Sequence, residues 1–313
     1  MAHKKFPAFF PKEEGSFYKM LLHFPNGFAI IKKTITKRGC RMNTRFHLCK
    51  DGEEYFLQSP LLAAAGARHF FATRMGGVSE GAFGGWNFAP GVGEVTDTEA
   101  NVMENYRIAA EKLGLSLGDV CRSYQAHTAY CLTVDDTHRG VGTVKPKFDF
   151  GVDGLVTETK DLLLSVRSAD CVPVLLFDPK RQICAAVHAG WRGTVGGICG
   201  NAVEEMASLG SDPKDILAAI GPCIGNCCYQ VGEEVYAAFT QAGDFAACFT
   251  PDTEQGKYLL DLTLANRKVL EWAGLAPHHI DEAYTCTRCH GDYFFSHRRQ
   301  GAIRGTMSAF ITL

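Results

Sequence analysis

Ser168-Ala-Asp-Cys-Val-Pro-Val-Leu-Leu-Phe-Asp-Pro-Lys-Arg-Gln-Ile-Cys-Ala-Ala-Val-His-Ala-Gly-Trp-Arg-Gly193 decides how the chain folds. Val172 to Phe177 and Ile183 to Ala189 are apolar runs too short and too β-branched for helices, and Asp178-Pro-Lys-Arg181 between them supplies turn residues. A four-residue loop at 178–181 pairs Phe177 with Gln182 and sets Cys171 opposite His188. Opposed side chains share a face with Cβ atoms about 5 Å apart. A thiolate and an imidazole so placed can bind one metal, at about 2.3 Å from sulfur and about 2.0 Å from nitrogen. A slip of one residue would separate them.

Working outward, Gly151-Val-Asp-Gly-Leu-Val-Thr157 and Leu162-Leu-Leu-Ser-Val166 read as strands leading into the hairpin. Thr194 to Leu209 reads as a helix behind it, whose start at Gly190-Trp-Arg-Gly193 points free amides and Arg192 one way, an anion site. Upstream, Arg122 to Val134 alternates like one half-buried strand with Gln125, His127 and Ala129 on one face. Taken alone, His127 reads as a satisfied core histidine. His69 to Arg74 is a strand running into Met75-Gly-Gly-Val-Ser-Glu-Gly81, a loop whose Gly76 and Gly77 amides can approach a ligand beside Arg74 and Ser79. Thr96-Asp-Thr-Glu99 has capping-box spacing for a helix ending at Gly114.

Downstream, Ile216 to Ile220 is a strand entering the loop Gly221-Pro-Cys-Ile-Gly-Asn-Cys-Cys-Tyr-Gln-Val-Gly232, followed by a helix from Glu233 to Gln241. Asp261 caps a helix with Leu262, Ala265, Val269 and Trp272 inward, and Ala283–Cys286, Tyr293–Ser296 and Met307–Leu313 read as three strands. Cys286-Thr-Arg-Cys-His290 matches the haem-attachment pattern, but that chemistry needs an exported chain. As a zinc half-site it needs two further ligands. Cys227 and Cys228 are available but adjacent, so these cysteines read as small buried residues near a pocket.

Composition bounds the rest. With 313 residues, 46% hydrophobic and 21% charged, the chain can bury a sizeable core. The net charge of −2 conceals 11 Lys/Arg against 2 Asp/Glu in residues 1–50. That segment alternates apolar and basic residues around Asn-Gly and Asp-Gly turns, so residues 1–54 are expected to be a basic, strand-rich segment with a solvated face, no nucleic acid being implied. No stretch reaches the ~20 apolar residues of a membrane span, and no signal-peptide core is visible. Thirteen cysteines without a dense framework are expected to be reduced thiols in a cytoplasmic protein.

Five ordered motifs together resemble the laccase-domain, or YfiH/YlmD, family: Thr73-Arg-Met-Gly-Gly-Val-Ser79, Ser168-Ala-Asp-Cys-Val-Pro173, His188-Ala-Gly-Trp-Arg-Gly193, the 221–232 loop and Phe295-Ser-His-Arg-Arg299. The resemblance runs from about residue 55 to 313, which sets a catalytic domain at 55–313. It implies an α/β (α+β) fold, a mixed-sheet layered α/β/β/α sandwich likened to cysteine hydrolases. It also implies a zinc site of His127, Cys171 and His188, copper being a possible occupant. The implied substrates are purine nucleosides and phosphate, for phosphorolysis of adenosine, inosine, guanosine and methylthioadenosine and deamination of adenosine.

Within that frame Arg74, Gly76, Gly77 and Arg192 are candidates to hold phosphate or ribose, with Ser79, Asn87 and Arg298 beside them. Cys171 and His188 carry the chemistry, and Asp153 and Asp170 compete as general acid/base. Two departures stand out: the family's Thr-Gly-Arg-Met is Arg304-Gly-Thr-Met307 here, and Ala126 replaces a usual valine. Copper-dependent polyphenol oxidation, cysteine hydrolysis by Cys171 with His188 as base, and a zinc-stabilised binding module are the alternatives. The oligomeric state is left open.

Overall fold

The computed structural model describes residues 29–30, 45–91 and 93–313. Most of the basic segment 1–54 lies outside them. Where it is described, Ala29–Ile30 pairs with His47–Asp51, which forms a hairpin with Glu54–Gln58 and joins a large sheet.

The central hairpin forms, in a corrected register. Val172–Asp178 pairs with Ile183–Ala189 so that Asp178 faces Ile183 and His188 faces Pro173, not Cys171. The turn is 179–182 because Asp178 closes it from within the strand: its side chain accepts from Lys180 N and Arg181 N, at 2.8 and 3.1 Å. Gln182 ends the turn at φ +55°. The register differs from expectation by two residues, and alternation of period two returns every side chain to the same face. Cys171, one residue before the strand, therefore stays on the His188 side.

Both hairpin strands are buried on both faces, which explains their unbroken apolar runs. They are central in a sheet ordered Ile280–Glu282, Leu217–Ile220, Val172–Asp178, Ile183–Ala189, Gly154–Thr157, Cys131–Thr133. Val174, Leu176, Ala185 and Val187 point to the helices Ile198–Ser208 and Leu262–Trp272. Leu175, Phe177, Cys184 and Ala186 point the other way, onto Leu164, Val166, Ala309 and Ile311 of a second sheet. That sheet runs Ala29–Ile30, His47–Asp51, Glu54–Gln58, Arg68–Ala72, Met307–Thr312, Leu163–Ser168, Val120–Arg122. Its outer face packs Phe70, Ala72 and Phe310 on Val102, Tyr106, Ala109 and Ala110 of the helix Glu99–Lys112. The order is helix, sheet, sheet, helix: the expected α/β/β/α sandwich.

Several element readings change. Arg122 to Val134 is not one strand: Val120–Arg122 belongs to the outer sheet and Cys131–Thr133 to the central one, and an irregular crossing joins them. The helix expected over 194–209 breaks at Gly197, φ +76°, into Trp191–Val195 and Ile198–Ser208. Thr98, not Thr96, caps the next upstream helix, accepting from Asn101 N at 3.1 Å. Only the last of the three C-terminal strands forms, because Tyr284 turns left-handed at φ +45° and the chain then closes turns at Cys286 and His290.

Trp272, expected inward, is 54% exposed, whereas Phe310 is fully buried against Phe70, Phe88 and Tyr106. In urea denaturation Phe310→Ala should cost about 3–5 kcal/mol and Trp272→Ala under about 1 kcal/mol. Equal costs would contradict the burial assigned here.

Candidate functional site

The site begins with a buried carboxylate. Asp153, 0% exposed, stands just before the strand Gly154–Thr157, next to the His188 strand in the central sheet. Its Oδ1 accepts from His188 Nδ1 at 2.7 Å and from His127 N at 3.1 Å. Its Oδ2 accepts from Ala126 N at 3.0 Å and from Thr128 N and Oγ1, both at 2.8 Å. Three consecutive amides wrapped on one carboxylate bend the 123–130 crossing and drive His127 to φ +59°. Burial alone would raise the carboxyl pKa, but the His188 hydrogen bond and charge and the amide donors prevail and hold it down at about 2.

His188 receives its orientation from the same group. With Nδ1 donating to Asp153, Nε2 is left for the group formed with His127 and Cys171. The His127 and His188 rings meet edge to face, centroids 5.0 Å apart, and Cys171 Sγ lies 3.9 Å from His127 Nε2. Burial opposes ionisation of Cys171, yet His188 and His127 outweigh it and pull the thiol down to about 6; the same interactions, with Asp153, raise His188. Each group thus favours the charged form of the other, thiolate beside imidazolium.

One ligand atom from each of His127, Cys171 and His188 lies within 4.8 Å of the others. Bonds of about 2.0 Å to nitrogen and about 2.3 Å to sulfur around a tetrahedral ion require a nitrogen–sulfur edge of about 3.5 Å. The 3.9 Å separation of His127 and Cys171 is close to that edge. Room for the set is kept by Gly190, where a Cβ would come 2.9 Å from His127 Cδ2 and 3.2 Å from Cys171 Sγ. Two neutral imidazoles and one thiolate are a three-ligand set with a fourth position open, and they fit a catalytic zinc.

Cys171 borders a cleft of about 310 Å³ that is also lined by His127, Asp170, Tyr229, His297, Arg298 and Arg304. Asp170, at φ +100°, reverses the chain just before Cys171. Its carboxylate accepts from Thr287 Oγ1 at 2.6 Å and from Arg298 N at 2.7 Å. Arg298 in turn donates to Gln230 O at 3.0 Å and lies over the Tyr229 ring. Arg304 reaches the cleft with Nε buried and without a hydrogen-bond partner, and burial lowers its pKa.

The glycine-loop candidates sit elsewhere. Arg74 donates to Gly291 O and Gly84 O and stacks on Phe295. A Cβ at Gly76 would strike the Glu54 backbone at 2.7 Å, and one at Gly77 would strike Asn105 Oδ1 at 2.5 Å, so these glycines serve close packing. Ser79 Oγ accepts from Asn105, and Asn87 bridges Ala89, Asp97 and Thr306. Arg192 is exposed, with its guanidinium over the Trp191 ring. None of these seven except Arg298 lines the cleft. Tyr229, His297 and Arg304 line it and were missed. The Phe295-Ser-His-Arg-Arg299 motif pointed to His297; nothing local marked Tyr229.

Asp153→Asn replaces an acceptor by an amide that must face one of its former donors. The affinity for added metal ion in a chelator competition should fall about 10–100-fold, and urea denaturation should show a loss of about 2–4 kcal/mol. The Asp153 contribution is complete above about pH 4 and lost as pH falls through about 2, because its folded pKa is depressed from 3.8. Unchanged metal affinity would remove Asp153 from the site.

Residues 68–313 match the family model described as multi-copper polyphenol oxidoreductase laccase. A purine nucleoside phosphorylase of Bacteroides thetaiotaomicron is 35% identical over 248 residues, 78% of this chain and 91% of that protein. An adenosine deaminase from an unknown prokaryotic organism is 37% identical, covering 75% of this chain and 90% of its own length. The crystal structure of the Bacillus licheniformis hypothetical protein YfiH superposes with a TM-score of 0.77 at 33% identity, over 86% of this chain and 99% of that one. The chain therefore belongs to the laccase-domain family of YfiH/YlmD type, an enzyme family whose relatives include named purine nucleoside phosphorylases.

Proposed function

We propose that the chain is a zinc-dependent purine nucleoside enzyme that phosphorolyses adenosine, inosine, guanosine or methylthioadenosine and also deaminates adenosine. The observation that carries this reading is one cleft lined by His127 and Cys171, which form a donor set with the buried His188, and also by Arg298 and Arg304. Its volume falls at the low end of the roughly 300–1,000 Å³ of small-molecule sites. Relatives named phosphorylase and deaminase support both activities.

A zinc ion held by the three residues would supply Lewis acidity and lower the pKa of a bound water towards neutrality. The protein groups do the rest. In phosphorolysis a phosphate oxygen attacks C1′ of the ribose, the glycosidic bond breaks and its electron pair leaves with the purine. Arg298 and Arg304 can hold the phosphate by charge-assisted hydrogen bonds, and the unpartnered Arg304 Nε has a donor to offer. Burial pushes the Tyr229 phenol up to about 12, so it stays protonated as a donor in the cleft. Asp170 is occupied by Thr287 and Arg298, and Asp153 by His188 and three amides. Both carboxylates therefore position other groups, and His297 is left as the cleft residue able to carry a proton to the purine.

The second reading rests on one arrangement: Asp153, His188 and Cys171 in series resemble the orienting acid, base and nucleophile of a cysteine hydrolase. Metal content separates the readings. Protein purified under reducing conditions is assayed for zinc and copper, and adenosine is followed chromatographically with and without phosphate. Adenine formed only with phosphate, inosine formed without it, and loss of both in Cys171→Ala are expected. Copper-dependent oxidation of phenols would favour the oxidase, and activity without metal that alkylation of Cys171 abolishes would favour the hydrolase. Arg304→Ala should raise the KM for phosphate by about tenfold or more and leave adenosine deamination much less affected; an unchanged phosphate KM would displace Arg304 from that role.

A further inference from the structure

Cys227, Cys228, Cys286 and Cys289 were expected to be small buried residues, and the structure corrects this: their four sulfurs lie within 4.8 Å of one another, with Cys227 and Cys289 exposed. The cluster is formed by two loops. In the first, Cys228 N and Tyr229 N both bond to Gly225 O, at 2.9 and 3.0 Å, and this tight turn aims two adjacent side chains at one point. In the second, His290 N bonds to Cys286 O at 3.1 Å, closing a helical turn that brings residues three apart to one side. A parallel bridge between Cys223 and Cys286 fixes the loops together. Adjacent cysteines look badly spaced only while the chain between them is imagined extended.

The sulfur separations identify the ligand class. Around a tetrahedral ion with bonds of about 2.3 Å, neighbouring thiolates stand about 3.8 Å apart. Cys289 Sγ lies 3.7 Å from Cys227 Sγ and 3.4 Å from Cys228 Sγ. Several irons and sulfides would hold the thiolates further apart, so a mononuclear site fits and a polynuclear cluster does not. Gly225 keeps the space: a Cβ there would meet Cys286 Cβ at 3.2 Å and Cys227 Sγ at 3.3 Å. Arg288 pairs with Cys228 at the rim of the cluster.

We infer that Cys227, Cys228, Cys286 and Cys289 form a second, structural zinc site that clamps the loop walling the cleft to the turn that holds Asp170. The first loop carries Ile224 and Tyr229 into that wall. The second holds Thr287, whose hydroxyl fixes Asp170, the neighbour of Cys171. With all four positions filled by thiolates there is no open site for substrate, so this ion acts through the geometry of the loops. It joins segments 61 and 62 residues apart in sequence.

The test is elemental analysis of full-length protein prepared with zinc under reducing conditions, beside Cys171→Ala, Cys289→Ser and the double variant. About two zinc ions per chain are expected in the parent, about one in each single variant and none in the double variant. Cys171→Ala reports the cleft ion alone, so failure of the purine reading and failure of this one are separable. Cys289→Ser that retains the parent's zinc overturns the inference. Should that variant not fold, cobalt(II) in Cys171→Ala decides: intense thiolate-to-cobalt charge transfer with tetrahedral visible bands supports the four-thiolate site, and its absence overturns it. Iron in place of zinc, or a Cys228–Cys289 disulfide in the purified protein, overturns it equally.

Discussion

The candidate centre depends on the carboxylate of Asp153. It is buried, ionised and saturated, accepting from one imidazole, three consecutive amides and a hydroxyl. An ionised group so deep in the protein is tolerable only with every lone pair used. That requirement shapes the chain around it. The crossing from the outer to the central sheet must curl to present three amides, and curling delivers the His127 ring to the His188 ring. One electrostatic demand therefore sets a backbone conformation, a histidine tautomer and the mutual position of two candidate ligands.

What could be read from the sequence follows from which forces are local. The central hairpin was legible because its strands are buried on both faces and flanked by turn residues. Its register was missed by two because Asp178 stays in the strand while its side chain closes the turn. Cys171 and His188 survived the error, since alternation is indifferent to a shift of two. The crossing was illegible because Ser123 to Tyr130 alternates like a strand, and the carboxylate that overrides the alternation lies more than twenty residues downstream. Trp272 had the right helical spacing, but that says nothing about how far the neighbouring layer extends.

The glycine loop after the strand Arg68–Ala72 shows a second limit. Closely spaced glycines beside an arginine and a serine suit an anion site, and they suit equally a tight fold of backbone over a neighbouring side chain. Here the neighbours decide: Glu54 and Asn105 press against Gly76 and Gly77, and Asn105 takes Val78 N and Ser79 Oγ as partners. Arg74 spends its donors on carbonyls of two separate loops. The loop is an organiser of the outer layer. The cleft draws its cations instead from the segment after Phe295, which approaches the central hairpin only in three dimensions.

Asp170 connects these parts. Its left-handed backbone turns the chain so that Cys171 faces the histidines, and its carboxylate ties down Thr287 on one side and the Arg298 amide on the other. The soft donor and the cationic wall are thus set by adjacent residues, Asp170 and Cys171, and a displacement of one moves the other. Thr287 belongs to the turn that also carries Cys286 and Cys289, so the rigidity of that turn reaches Cys171 through a single hydroxyl–carboxylate contact. A loop without regular secondary structure has little to hold it but such contacts. The cleft that Cys171, Arg298 and Arg304 line is walled by such irregular segments, and the four cysteines lie at the turns that tie them together.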